Sequence, residues 1–350
     1  MDVTARKTNF IIILLGIIVL FISGITLLYL QNVLLPFIIA VLISIIFKPI
    51  VVFLESKKFP TAVALIIVVL TLAVILFLIG YLVYSQALAF SETLPKYEQK
   101  FQVISTSLQK TFGDLVSSMG LRNEDVNVNN ILSFSAITQF AGNFASSFLN
   151  FIGNTVLVLL FMLFILGSTG DLTAKIRKGF SSGNAERIST VVDNISKSVR
   201  KYLVAKTAIS LGTGSLFGIV TWLFGVDFPL FWAFLAFILN FIPNVGSLIA
   251  TAFPSIFSLL QFDSIFTSII MMLLLIAIQN IMGNGVEPKI FSNSLNLSSV
   301  LILVALIFWG WLWGIIGMIL AVPLTATIKI VCENIPALRP ISILMGGKVD

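Results

Sequence analysis

The sequence predicts an all-α polytopic membrane protein. It reads as six full transmembrane helices plus two broken, re-entrant hairpin segments, eight hydrophobic segments in all, with the N- and C-termini cytoplasmic. Three observations carry this. Of 350 residues, 58% are hydrophobic and 10% charged, where ordinary globular domains carry about 25% charged residues; mean hydropathy is +1.09. Apolar runs long enough to cross the roughly 30 Å hydrocarbon core recur along the chain. Lysines and arginines cluster beside alternate runs, as the positive-inside rule requires.

The first run, residues 10–30, follows Arg6 and Lys7 and has no small-residue cleavage site, so it is expected to be a retained span and not a signal peptide. Spans are expected at 33–53, with Pro36 near its start and Lys48-Pro49 near its end, then at 62–84, 148–167, 208–224 and 265–282. Arg6, Lys7, Lys48, Lys57 and Lys58 lie on one side of this arrangement. So do Lys175, Arg177, Lys178, Arg187, Lys197, Arg200, Lys201 and Lys206 between the fourth and fifth spans. That side is the cytoplasm if the N-terminus is inside. The net charge of +6 therefore faces anionic lipid there, and nucleic acid is not an expected partner.

Two stretches outside the spans show helical periodicity. In 85–147, apolar residues recur at Leu94, Tyr97, Phe101, Ile104, Leu108, Phe112 and Leu115, ahead of an Asn/Asp-rich turn at 123–130. This reads as an amphipathic helical cap outside the membrane. In 185–206, Ile188, Val191, Val192, Ile195, Val199 and Tyr202 share a face, which reads as an interfacial helix on the inside.

Two apolar regions are too long for one span and are broken at mid-length. Residues 228–260 contain no charged side chain, yet "NFIPNVGSLIA" (240–250) interrupts them with Asn240, Pro243, Asn244, Gly246 and Ser247. As one helix the region would be about 50 Å long; split at Pro243-Asn244 it gives two arms of about 20–24 Å. A hairpin that enters and leaves on the same side is the economical reading. Residues 299–331 behave alike, with "GWLWG" (310–314) as a turn and Gly317 and Pro323 beyond it; the tip candidates are Gly310, Trp311, Trp313, Gly314 and Gly317. If both regions are hairpins, 284–298 is cytoplasmic. If both cross fully, there are eight spans and 284–298 is external. The hairpin reading is preferred because it puts Lys289 inside. Irregular backbone at membrane depth is tolerated only within protein or beside a water-filled cavity, and paired interruptions are the best sequence pointer to a transport site.

Each feature has a plainer alternative. Pro243 and Gly246 can be a packing kink, the tryptophans an interfacial belt, and Gln279, Asn280 and Asn284 interhelical glue. Asp227 can cap the helix that follows it. Glu287 precedes Pro288, where a helix is expected to end and free its carbonyls; Asp227 and Glu287 are the candidate ion-coupling carboxylates. Cys332 reads as a small buried hydrophobe. With no histidine and one cysteine, neither a His/Cys metal site nor a disulfide is available, and no cofactor is expected. No nucleophile–base pair and no phosphate loop appears, so an enzyme or scaffold is disfavoured and transport energy would come from a gradient.

The broken segments carry a family resemblance. "FIPNVGSLIA" (241–250) is similar to the Phe-Ile-Pro-x-x-Gly signature of the autoinducer-2 exporter family, and "GNGVEPKIFSNSLNLSSVLILVALIFWGWLWGIIGMILAVPLTATIKI" (283–330) resembles its second signature. Pro243, Gly246, Asn284, Pro288 and Gly317 match family positions. Many members carry an acidic residue two before the asparagine of the second motif; here that position is Met282, which weakens any carry-over of cation coupling. The resemblance implies a multi-pass transporter of the bacterial inner membrane that assembles as a homo-oligomer, a pentamer being one candidate. Members are described as autoinducer-2 exporters, others as sodium (lithium)/proton antiporters. The chain then divides into residues 1–84, the first three spans; 85–147, the extracytoplasmic helical segment; 148–225, spans four and five with the basic amphipathic helix 171–206; 226–335, the transport-site region; and 336–350, a cytoplasmic tail. Export of a small polar solute is favoured, with Asn240, Pro243, Asn244, Gly246, Ser247, Gln279, Asn280 and Asn284 along its path. Antiport is the alternative; the first five spans hold no carboxylate in their cores to serve it.

Overall fold

The structure, a computed structural model, describes residues 14–16, 18, 19, 22, 24–118, 139, 142, 146, 153–291 and 296–347. Among them the chain is helical and contains no strand beyond an isolated bridge between Leu297 and Gly346. The main helices are α1 (Gln31–Ser56), α2 (Thr61–Ser118), α3 (Thr155–Gly179), α4 (Ser182–Leu223), α5 (Pro229–Leu239), α6 (Val245–Gln261), α7 (Ile265–Asn280), α8 (Glu287–Phe291), α9 (Ser299–Asn334) and α10 (Arg339–Met345). Among the described residues, five stretches are long and apolar enough to cross a membrane: Gln31–Ser56, Thr61–Phe90, Ser182–Leu223, Ile265–Phe291 and Ser299–Asn334. Their lipid-facing character is visible in large exposed apolar side chains such as Phe77, Trp222 and Phe266. Of the expected first span, residues 10–13, 17, 20, 21 and 23 lie outside the described residues, and the 123–130 turn lies wholly outside them.

Two elements are longer than the sequence periodicity indicates. α2 runs 58 residues, about 87 Å, so the expected external cap begins as a direct continuation of the third span. α4 runs unbroken through Lys206, joining the expected interfacial helix to the fifth span. It contains no proline to stop it.

The described residues form two compact units. The first comprises Met1–Leu70, Thr155–Ala205 and Phe291–Asp350. Here α1 lies along α3, with Phe37 edge-on to Phe161 at 5.5 Å. Leu42, Val199, Tyr202, Leu203, Leu320 and Val322 form its core. α9 is not one helix: Trp313 and Gly314 leave helical geometry, Gly314 with φ of 62°. The two arms fold back on each other. Lys329 Nζ donates to the carbonyl of Asn296, just before the first arm, at 2.8 Å, a contact no straight helix could make. Near the bend, a Cβ on Gly317 would stand 1.9 Å from the carbonyl oxygen of Trp309; only glycine permits that approach. Beyond the hairpin, α10 is tied back where Ser298 N–H donates to the Met345 carbonyl at 3.1 Å.

The second unit comprises Thr71–Asn154 and Lys206–Ile290. α5 and α6 form the other hairpin. Its closed end turns through Asn240–Asn244, with Asn244 at φ 61° and ψ −56°. A Cβ on Gly246 would stand 1.8 Å from the Leu239 carbonyl oxygen. Its open end is held by Gln261, which accepts from the Asp227 N–H and donates to the Gly225 carbonyl, both at 2.8 Å. So the interruptions in both apolar runs are chain reversals. Small residues let α5 seat against α4: Cβ atoms on Gly214 and Gly218 would meet Ala233 at 2.6 and 2.9 Å. Phe90 of α2 stacks on Phe231 at 5.3 Å and meets Trp232 and Phe257 edge-on or tilted.

A candidate polar site inside the second unit

Polar residues on α4 recur at Lys206, Ser210 and Thr213, a spacing of four and three that puts them on one face. Ser210 and Thr213 are fully buried, and the Lys206 side chain is 2% exposed. Asn240, at the hairpin corner, donates its Nδ2 to Ser210 Oγ at 3.0 Å. Gln279 of α7 donates its Nε2 to Asn240 Oδ1 at 3.5 Å. The other end of that amide, Gln279 Oε1, is buried and has no hydrogen-bond partner among the described residues. Buried carbonyls are nearly always paired, so this one points to a ligand or water that donates to it. Farther along the same helices, Lys206 Nζ stands 2.6 Å from Glu287 Oε1, whose side chain is 25% exposed. The result is a polar line, Lys206–Glu287 and then Ser210–Asn240–Gln279, inside helices otherwise made for oil.

The structure brings together two of the expected path residues, Asn240 and Gln279. Asn280 and Asn284 form a separate pair on an exposed face, with Asn284 Nδ2 donating to Asn280 Oδ1 at 2.9 Å. Asn244 is exposed at the hairpin tip, and its carbonyl accepts from Ser247 Oγ at 2.8 Å. Pro243 and Gly246 shape the turn. Gly310, Trp311, Trp313, Gly314 and Gly317 belong to the first unit; the reversal there is at Trp313-Gly314. Trp311 is exposed, while Trp313 is buried against Trp309 and donates to the Leu27 carbonyl at 3.3 Å.

Three expectations need correction. Asp227 does not cap α5: the N-cap position is Phe228, in left-handed geometry with no side-chain cap bond. Its carboxylate instead accepts from Tyr97 OH at 2.6 Å. Burial, and next the bond to Asp227, hold the Tyr97 phenol above its ordinary range. Nearby, Lys100 bonds the Phe262 carbonyl and Asp263 at 2.8 and 2.7 Å, and this holds the Asp263 carboxyl below the usual range. The helix does not end at Pro288, because residues Ile281–Val286 form a π turn and α8 carries on through the proline. Lys206 is not one more solvated cytoplasmic cation; it is the buried counter-charge of Glu287. The sequence signal for it was present, a lysine followed at four and seven residues by Ser210 and Thr213 on the face of an apolar helix.

Comparison with known proteins shows the family of the chain. Residues 10–337 match the family model described as AI-2E family transporter. The AI-2 transport protein TqsA of Escherichia coli K12 is 32% identical over 344 residues, 96% of this chain and 95% of that protein. A Haemophilus influenzae protein named provisionally for transport is 28% identical over 341 residues, covering 96% of this chain and 97% of its own length. A Borreliella burgdorferi protein named in the same way is 36% identical over 225 residues, 64% of this chain and 62%, under two thirds, of its own length.

Proposed function

The chain belongs to the AI-2E transporter family, and from that premise we propose that it is a secondary transporter exporting a small polar signal molecule of the autoinducer-2 type across the bacterial cytoplasmic membrane. The observation that supports this most directly is the polar line ending at the unpartnered Gln279 Oε1. A hydroxyl-bearing solute brings the donor that this carbonyl lacks, and Asn240 and Ser210 offer further hydrogen-bonding groups beside it. The relative TqsA carries AI-2 transport in its name, which supports the same solute class. Sodium or lithium exchange for protons is the less favoured reading. It needs a carboxylate open to the ion, and both candidates are engaged, Glu287 by Lys206 and Asp227 by Tyr97.

The test is flux from proteoliposomes loaded with autoinducer-2, under imposed proton and sodium gradients. Gradient-dependent autoinducer-2 efflux is expected. Asn240→Ala should lower it about tenfold at equal reconstituted protein, because truncation strands two buried partners, a loss of about 1–3 kcal/mol. Asn244→Ala should lower flux more than it lowers expression. Sodium flux without autoinducer-2 flux would instead favour antiport.

In the topology we propose, the α5–α6 hairpin enters from outside and the α9 hairpin from the cytoplasm, which leaves Lys289 inside. A Lys289→Cys variant in a Cys332→Ser background should then resist an impermeant thiol reagent added to intact cells. Robust external labelling would place Lys289 outside and overturn this orientation of the two hairpins. The basic cytoplasmic residues would rest on anionic lipid, and the working assembly would be a homo-oligomer.

A further inference from the structure

The segment between Gln279 and Glu287 is wound in an unusual way. Residues Ile281–Val286 form a π turn between α7 and α8. Such turns are rare and concentrate at functional sites. This one has a definite geometric effect. Gln279 and Glu287 stand eight residues apart, and in an unbroken α-helix that separation is a rotation of about 80°. A π turn takes in about one residue more than an α turn, so the pair behaves as i and i+7, about 20° apart. The two side chains then share the face that meets α4, Gln279 through Asn240 to Ser210, and Glu287 directly to Lys206. Lys206 and Ser210 are themselves one helical turn apart.

We propose that Lys206 is a positioning residue: by gripping Glu287 it holds the π turn, and the π turn sets the register that keeps the Gln279 carbonyl on the polar line. The grip is a 2.6 Å contact from an ammonium whose side chain is 2% exposed. Without it, the turn relaxes to α-helical winding and Glu287 rotates away from α4 relative to Gln279. Deleting one residue from the turn would give the same register with ordinary α winding and no need of a grip. Gly285 is the residue to remove, since a Cβ there would touch nothing within 4 Å.

Two readouts test this, and only the flux readout rests on the transport reading. In a Cys332→Ser background, Lys206→Cys with Glu287→Cys removes the grip and reports the register through a short bifunctional thiol cross-linker. The cross-link is expected to be weak, and to rise about fivefold or more when Gly285 is also deleted. Equal yields with and without the deletion, high or low, would overturn the proposal. In proteoliposomes, Lys206→Met with Glu287→Leu leaves no unpaired charge, so the protein folds. Its autoinducer-2 flux should fall about tenfold, and deletion of Gly285 in the same variant should restore it to within about threefold of the parent. Flux that stays at the parent level without the pair, or a loss that the deletion does not mend, overturns it as well. If the parent chain itself moves no autoinducer-2, the solute assignment fails, and the cross-linking result still decides the role of Lys206.

Discussion

Alanine at position 246 or 317 is expected to collapse the hairpin that contains it. In each, the added Cβ would stand under 2 Å from a backbone carbonyl oxygen, 1.8 Å from that of Leu239 and 1.9 Å from that of Trp309. A clash with a flexible side chain can be relieved by rotation, as at Gly310, where the nearest atom is the Met318 side chain. A carbonyl at the end of a helical arm cannot rotate without breaking the turn behind it. Overpacking of a well-filled interior costs about 1–3 kcal/mol, and more where nothing yields, so each substitution should remove at least about 3 kcal/mol. Thermal melting of the detergent-solubilised protein would register this as a fall of more than about 5 °C, with loss of the monodisperse peak on size exclusion. Gly183→Ala is the control: its Cβ would meet nothing within 4 Å, and alanine is the better helix former by about 1 kcal/mol. If Gly246→Ala melts and elutes like the parent, the two arms of α5–α6 are not closed in the way described.

These two glycines also show what the sequence could reveal. A proline, two asparagines and a glycine inside thirty-three uncharged residues demand a break, and a break with two arms too short to cross demands a reversal. The hairpins were therefore legible from composition and length. The polar line was legible only in part. Asn240 and Gln279 stood out because an amide in an apolar run needs a partner. Nothing local, however, pairs Lys206 with a carboxylate 81 positions away or Tyr97 with one 130 positions away. Orientation rules count cations by their distance from span ends, and that logic assigned Lys206 to the cytoplasmic cluster with its seven basic neighbours. Helix continuity through Pro288 was hidden for a different reason. A proline ordinarily ends a helix because it clashes with the turn before it, and the π turn that accommodates it here leaves no periodic signature in six residues.

The buried ion pair should respond unequally to loss of either partner, and that inequality distinguishes a buried pair from a surface one. Exposed pairs contribute about 0–1 kcal/mol, and removing either end has similar small effects. Breaking a buried pair costs about 3–5 kcal/mol, because the surviving charge is stranded away from water. The two survivors are not equivalent here. If Lys206 becomes Met, Glu287 keeps its 25% exposure and can take water. If Glu287 becomes Leu, the Lys206 ammonium remains at 2% exposure with no water to hydrate it. Glu287→Leu should therefore be the more damaging change, near the upper end of that range, with Lys206→Met near or below the lower end. The double variant should return to within about 1–2 kcal/mol of the parent, since both charges are gone and apolar side chains of similar volume fill the site. A double-mutant cycle in thermal or denaturant unfolding would then give a coupling of about 5–7 kcal/mol, the amount by which the two single losses together exceed that of the double variant. Equal, small effects for the two single variants, with a coupling near zero, would mean that the 2.6 Å contact is solvated in the membrane-embedded protein and that Glu287 is free for another partner.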